Sequence, residues 1–164
     1  MSDARGSSPP AKHRTLWLLR HGQAGAPPGV DDAARPLTVV GEAQARAAGV
    51  ALAERAPRLA VVLCSPRLRA HHTAQLAAEA HGAAPGPLVI DELGGDYGVG
   101  ALLALLSPWD DGDAAGDLLV VGHNPTLAWI AHQLSGDDRG FSTGTLVGID
   151  RAAGRLSHYV APHR

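Results

Sequence analysis

Thr15-Leu16-Trp17-Leu18-Leu19-Arg20-His21-Gly22 is the stretch that decides the fold. A short apolar run ending in a charged, reactive triplet reads as a buried strand. Its carboxyl end then opens onto a ligand site, where open α/β sheets bind. The pattern recurs twice. Val61-Val62-Leu63-Cys64 runs into Ser65-Pro66-Arg67-Leu68-Arg69-Ala70, and Leu118-Leu119-Val120-Val121 runs into Gly122-His123-Asn124-Pro125. Strand ends that each deliver His or Arg predict an electropositive pocket holding two imidazoles, which suits a phosphoryl group.

Outward from these runs, strands alternate with helices. Strands are predicted at residues 15–20, 59–64, 88–90 and 117–121. Residues 22–37, with Gly, Pro and Asp, predict a loop bordering the site. Thr38 is the expected N-cap of a helix to about Arg55, which Pro57 stops. Ser65-Pro66 and Asn124-Pro125 each read as an N-cap with proline at the first helical position, opening helices to about Gly82 and Leu134. Residues 83–87 form a linker, 91–100 a glycine-rich acidic loop, 99–106 a short helix and 107–116 a polar loop. Residues 145–150 and 155–160, joined by Arg151-Ala152-Ala153-Gly154, predict an edge hairpin. The fold expected is a three-layer α/β/α domain with a mostly parallel sheet.

The composition narrows the function classes. With 164 residues the chain is expected to form one domain over 14–164, behind a disordered leader at 1–13. Aromatics are only 4% of residues, so the core is expected to use small and aliphatic side chains. A net charge of -2 argues against non-specific nucleic-acid binding. Lys12 is the only lysine, which leaves arginine to bind phosphate with its planar fork. Cys64 is the only cysteine, so neither an internal disulfide nor a cysteine zinc cluster is expected. No apolar stretch approaches the roughly 20 residues that span a bilayer. Without a secretory-type apolar segment at residues 1–12, the expected location is cytoplasmic, with no membrane partner.

At the three strand ends an imidazole can act as phosphoryl acceptor if one ring nitrogen is held as a lone pair by a hydrogen bond on the other. A backbone carbonyl in the loop after Gly22 could supply that bond, and a glycine there would let the backbone approach closely. Arg20, Arg69 and His123 suit a clamp on the phosphoryl oxygens. Ser65 and Asn124, as N-caps, would bring helix N-termini and their backbone donors to the same place, adding Asn124 to the phosphate-binding set. No metal or other cofactor is required. Competing phosphate chemistries fail on spacing. A cysteine phosphatase needs Cys-x-x-x-x-x-Arg, and from Cys64 that position is Ala70. A P-loop needs a lysine after a strand, which Lys12 does not provide. His71 and His72, adjacent on a helix, diverge and do not form a metal pair.

Arg20-His21-Gly22, Ser65-x-x-x-Arg69-Ala70-x-x-Thr73 and Gly122-His123 resemble the histidine phosphatase (phosphoglycerate mutase-like) superfamily, in its motif order and across residues 15–160. The resemblance implies that fold, with His21 as the phosphorylated nucleophile and Arg20, Arg69 and His123 as the phosphate pocket. Arg67 would be peripheral. Arg35-Pro36-Leu37-Thr38 with Gly41, and the short chain, are most similar to SixA-type phosphohistidine phosphatases. The resemblance also implies a general acid after the third strand; Glu92 is the first choice and Asp96 the second.

The expected activity is a metal-independent phosphatase with phosphohistidine on a protein as its substrate. A small phosphate ester is the enzymatic alternative, and a non-catalytic phosphate-binding module the alternative of another class.

Overall fold

Each apolar run pairs with the others as strand chemistry requires. The computed structural model describes residues 15–95, 97–109, 116–162 and 164. Strands β1 (Thr15–Arg20), β2 (Leu59–Cys64), β3 (Leu88–Val89), β4 (Asp117–Gly122), β5 (Leu146–Asp150) and β6 (Arg155–Val160) form one sheet. Its order is β3-β2-β4-β1-β5-β6. β3, β2, β4 and β1 run parallel, while β5 and β6 are antiparallel and close the far edge as a hairpin. Helices α1 (Val39–Arg55), α2 (Leu68–His81), α3 (Val99–Leu106) and α4 (Thr126–Ser135) connect and cover the strands. The expected leader and most of the expected polar loop at 107–116 lie outside the described residues.

Alternation along the strands builds two cores. Trp17, Leu19, Val62, Cys64, Leu119 and Val121 pack with Ala48 and Leu52 of α1 and Ala70, Ala74 and Ala77 of α2. Their neighbours Leu16, Leu18, Val61, Leu63, Leu118 and Val120 pack with Leu102 and Leu106 of α3 and Leu127 and Ile130 of α4. Cys64 is fully buried in the first of these layers, as an apolar side chain. Small residues let α1 and α2 approach closely. A Cβ on Gly49 would stand 2.3 Å from the Ala77 carbonyl oxygen.

Helix starts are where the structure corrects the sequence. Thr38 caps α1 as expected, its hydroxyl accepting the Gly41 N–H at 3.1 Å. Ser65 and Asn124 are not N-caps. α2 begins at Leu68 behind Arg67, and α4 at Thr126 behind Pro125, both without a side-chain cap bond. The Ser65 hydroxyl instead accepts the Arg67 N–H in a local turn, and the Asn124 amide donates to the Phe141 carbonyl. The proline rule lost because both polar side chains have better partners across the sheet end. The expected loop at 91–100 also begins as a single 3-10 turn, Asp91–Gly94, because Leu93 buries itself in the core.

Gly49→Ala tests the helix contact. Alanine gains about 1 kcal/mol of helix propensity, but forcing a methyl into a packed interface costs about 1–3 kcal/mol, and a helix carbonyl has little room to turn aside. A melting temperature lowered by a few degrees is expected. A rise would show that the helices part freely.

Candidate active site

Ladder register lines up the strand ends. Arg20 pairs with Gly122 across β1 and β4, and Cys64 with Val121 across β2 and β4. The hydrogen bonds continue one residue further: His21 N–H donates to the Gly122 carbonyl and Ser65 N–H to that of Val121, both at 3.1 Å. His21, Ser65 and His123 therefore emerge side by side at the carboxyl end of the sheet. The two imidazole rings lie 5.2 Å apart between centroids.

His21 is 7% exposed. Its Nδ1 lies 2.7 Å from the carbonyl oxygen of Gly22. A carbonyl only accepts, so Nδ1 carries the proton and Nε2 keeps its lone pair. The carbonyl is that of Gly22 itself rather than of the loop beyond it. Gly22 is in turn fixed by Thr73, whose hydroxyl accepts the Gly22 N–H at 3.0 Å and donates to the Arg69 carbonyl at 2.7 Å. A Cβ at Gly22 would meet the Gly41 carbonyl oxygen at 2.3 Å, and one at Gly41 would meet the Gln23 carbonyl oxygen at 2.0 Å. The strand end is thus wedged against the first turn of α1 with no room for a side chain on either glycine.

The arginines surround these rings. Arg20 donates from Nη1 to the Phe141 carbonyl at 2.7 Å, and Asn124 donates to the same oxygen at 2.8 Å. Arg69, 6% exposed, donates from Nη1 to the Asp32 carbonyl at 2.7 Å and from Nη2 to its carboxylate at 3.2 Å. Arg67 also binds the Asp32 carboxylate, and two of its nitrogens donate to the Gly94 carbonyl at 3.1 and 3.0 Å. Arg67 is therefore part of the site wall rather than peripheral. Among the described residues, the buried Nε atoms of Arg20 and Arg69, Nδ1 of His123 and Oδ1 of Asn124 have no hydrogen-bond partner. A cleft of about 120 Å³ is lined by Arg67, Arg69, His123, Asn124, the Leu93–Gly95 segment and the start of α4. His21 and Arg20 are buried or half-buried beside it.

Burial sets the protonation states. It pushes His21 down to about 4; the Gly22 bond opposes this, and the charges of Arg69, Arg20 and Arg35 add to it. Burial likewise pushes His123 down to about 3, helped by His21, Arg69 and Arg67 and opposed by Asp32. Both rings are neutral at pH 7. The unfolded chain therefore takes up protons below about pH 6.5 that the fold refuses, and stability falls as pH drops through that window. Desolvation by itself would raise the Asp32 carboxyl, but hydrogen bonds from Arg35 and Arg69 and the charges of Arg69 and Arg67 hold it low.

Glu92, the expected acid, sits in the Asp91–Gly94 turn, but the residues that reach the cleft there are Leu93, Gly94 and Gly95. Asp96, the second choice, lies outside the described residues. Asp32 is what the sequence reading missed. It belongs to a loop that Arg35 ties down, donating to the Gly25 carbonyl at 2.9 Å and to the Asp32 carboxylate at 3.3 Å. One signal was present: a pocket so rich in arginine needs a counter-charge, and the bordering loop holds only Asp31 and Asp32. Among the described residues no three His, Cys, Asp or Glu side chains gather as a metal-ligand set, and no helix is long and apolar enough to cross a membrane.

A family model described as the histidine phosphatase superfamily (branch 1) matches residues 16–93. An uncharacterized protein of Picosynechococcus is 32% identical over 146 residues, spanning 86% of this chain and 87% of its own length. Among solved structures, a candidate SixA phosphohistidine phosphatase of Nakamurella multipartitia is 31% identical, with a TM-score of 0.77 and coverage of 95% of this chain and 100% of that one. A second such candidate, from Agrobacterium tumefaciens, is 29% identical with a TM-score of 0.78, covering 90% and 98%.

Two outcomes follow from the charges. In a titration followed by imidazole NMR, His21 and His123 are expected to stay neutral down to pH 5; a midpoint above 6 for either contradicts the burial argument. Asp32→Asn is expected to tighten inhibition by inorganic phosphate several-fold, because the carboxylate holds guanidinium edges that an oxyanion would use. Weaker inhibition would instead mark Asp32 as an organiser of the arginines.

Proposed function

The chain belongs to the histidine phosphatase superfamily, in its SixA-type branch, and is a phosphatase; on that premise we propose that it hydrolyses phosphohistidine carried on a protein, through a phosphorylated His21 and without a metal ion. The observation that carries this reading is the His21–Gly22 bond, which leaves a bare Nε2 in a pocket of guanidinium groups. The Nε2 lone pair forms the new N–P bond as the bond from phosphorus to the substrate nitrogen breaks. Arg20, Arg69 and His123 hold the phosphoryl oxygens, and the two guanidinium groups balance their charge in place of a metal. Asn124 helps to hold Arg20 in place through their shared Phe141 carbonyl. In the second half, water oxygen attacks phosphorus, the His21 N–P bond breaks, and His21 recovers its electron pair.

Two features favour phosphohistidine. A departing imidazole is neutral when its other nitrogen carries a proton, so it needs little help from an acid. That suits a cleft to which Glu92 does not contribute. The cleft is also small. At about 120 Å³ it takes a phosphoryl group but does not enclose a metabolite, for which pockets of roughly 300–1,000 Å³ are usual. A phosphoryl group projecting from a protein surface meets that shape.

The test compares release of phosphate from a phosphohistidine protein with release from a panel of metabolite phosphates, each with and without chelator. Faster turnover of the phosphohistidine protein, unchanged by chelator, is expected. His21→Ala should abolish both turnover and the acid-labile phosphoenzyme, and Arg69→Ala should cost about 100-fold or more in kcat/KM. Preference for a metabolite ester would move the assignment to a small-molecule phosphatase. Full activity in His21→Ala would refute the nucleophile.

A further inference from the structure

The two imidazoles are the same group, one buried and the other half-buried, and both neutral, yet one must offer a lone pair and the other a proton. For His21 the Gly22 carbonyl decides. The corresponding partner of His123 is Ser65, a residue that the scheme above leaves unused. Ser65 is 0% exposed. Its hydroxyl oxygen accepts the Arg67 N–H at 3.2 Å and lies 2.7 Å from Nε2 of His123.

A hydroxyl has one hydrogen and two lone pairs. Arg67 takes one lone pair. Among the described residues, His123 Nε2 is the acceptor within reach of the hydrogen. Reversing the polarity, with His123 donating, would strand the O–H of Ser65, which is 0% exposed. The proton that the first arrangement leaves on Nδ1 belongs instead to a ring that lines the cleft, where a ligand can accept it. Turning the ring over would put a carbon against that O–H. With Nε2 accepting, the ring proton sits on Nδ1, the nitrogen that has no hydrogen-bond partner among the described residues.

We propose that Ser65 is a positioning residue whose O–H fixes His123 as the Nδ1–H tautomer, so that this ring turns an N–H rather than a lone pair toward the phosphoryl oxygens. What meets Nδ1 rests on the phosphatase reading; the tautomer does not. A lone pair in that place would repel the anionic oxygens, so the orientation of one buried hydroxyl makes His123 a clamp and keeps it from competing with His21 as nucleophile.

The experiment is long-range proton–nitrogen NMR on the full chain with labelled histidine, beside steady-state kinetics on an aryl phosphate. Wild type is expected to show His123 with protonated Nδ1 and bare Nε2. Ser65→Ala should shift His123 toward the Nε2–H form and lower kcat about tenfold or more, with KM little changed. Ser65→Thr, which keeps the O–H, should restore both. A wild-type His123 protonated on Nε2 overturns the proposal. So does a Ser65→Ala chain with unchanged tautomer or kcat, or a folded Ser65→Thr chain that restores neither. If Ser65→Ala does not fold, the wild-type spectrum decides alone. If wild type turns over no phosphate compound, the phosphatase reading fails while the tautomer result still stands or falls by itself.

Discussion

Everything at the site depends on the parallel pairing of β1 with β4 in the register that sets Arg20 opposite Gly122. A side chain leaving a strand end points wherever the last ladder bond leaves it. Here the bonds run one residue beyond β1 and β2, to His21 and Ser65, and His123 follows directly on the paired Gly122, so the two imidazoles inherit the sheet's spacing instead of a loop's freedom. A register slip would turn His21 to the opposite face and break the pair. The precision of the imidazole pair is thus a property of the core, held by Leu16, Leu18, Leu118 and Val120 on one face and Trp17, Leu19, Leu119 and Val121 on the other.

Around that fixed pair the remaining groups are placed from farther away, and by backbone more than by side chains. The Gly22 carbonyl orients His21, the Phe141 carbonyl receives both Arg20 and Asn124, and the Gly94 carbonyl receives Arg67. The Arg35-Pro36-Leu37-Thr38 run serves the same end. Arg35 ties the loop to Gly25, Leu37 buries itself with Ala45 and Leu76, and Thr38 caps α1 while its hydroxyl donates to the Gln23 side chain at 2.8 Å. That loop then delivers Asp32 to the arginines.

This division explains what was legible in the sequence. Strands were, because a parallel sheet buried on both faces leaves continuous apolar runs, and their polar ends mark where burial stops. His21, Arg69 and His123 were legible as polar residues following those runs, and the structure gathers them at one end of the sheet. Helix starts were not, because Ser65 and Asn124 obey a local rule that contacts distant in sequence override. Asp32 pairs with arginines more than thirty residues away through a loop with no periodicity to read. The carbonyls of Phe141 and Gly94 carry no residue signature at all. The resemblance pointed to Glu92 as the acid, but Leu93 anchors the turn, and it is Leu93, Gly94 and Gly95 that line the cleft there.

The strand order also has a consequence for the order in which the molecule is made. β4 is fourth in sequence but lies between β2 and β1. On a ribosome, the first hundred residues would emerge as a sheet with its middle missing, two apolar flanks that have no direct ladder to each other. Neither the two completed core layers nor the cleft beside His123 exists until residues 117–123 have been released and inserted. Long-range pairing of this kind closes loops late and leaves strand edges exposed meanwhile. A nascent chain of this protein therefore lacks the paired imidazoles, and is vulnerable to aggregation, until β4 arrives.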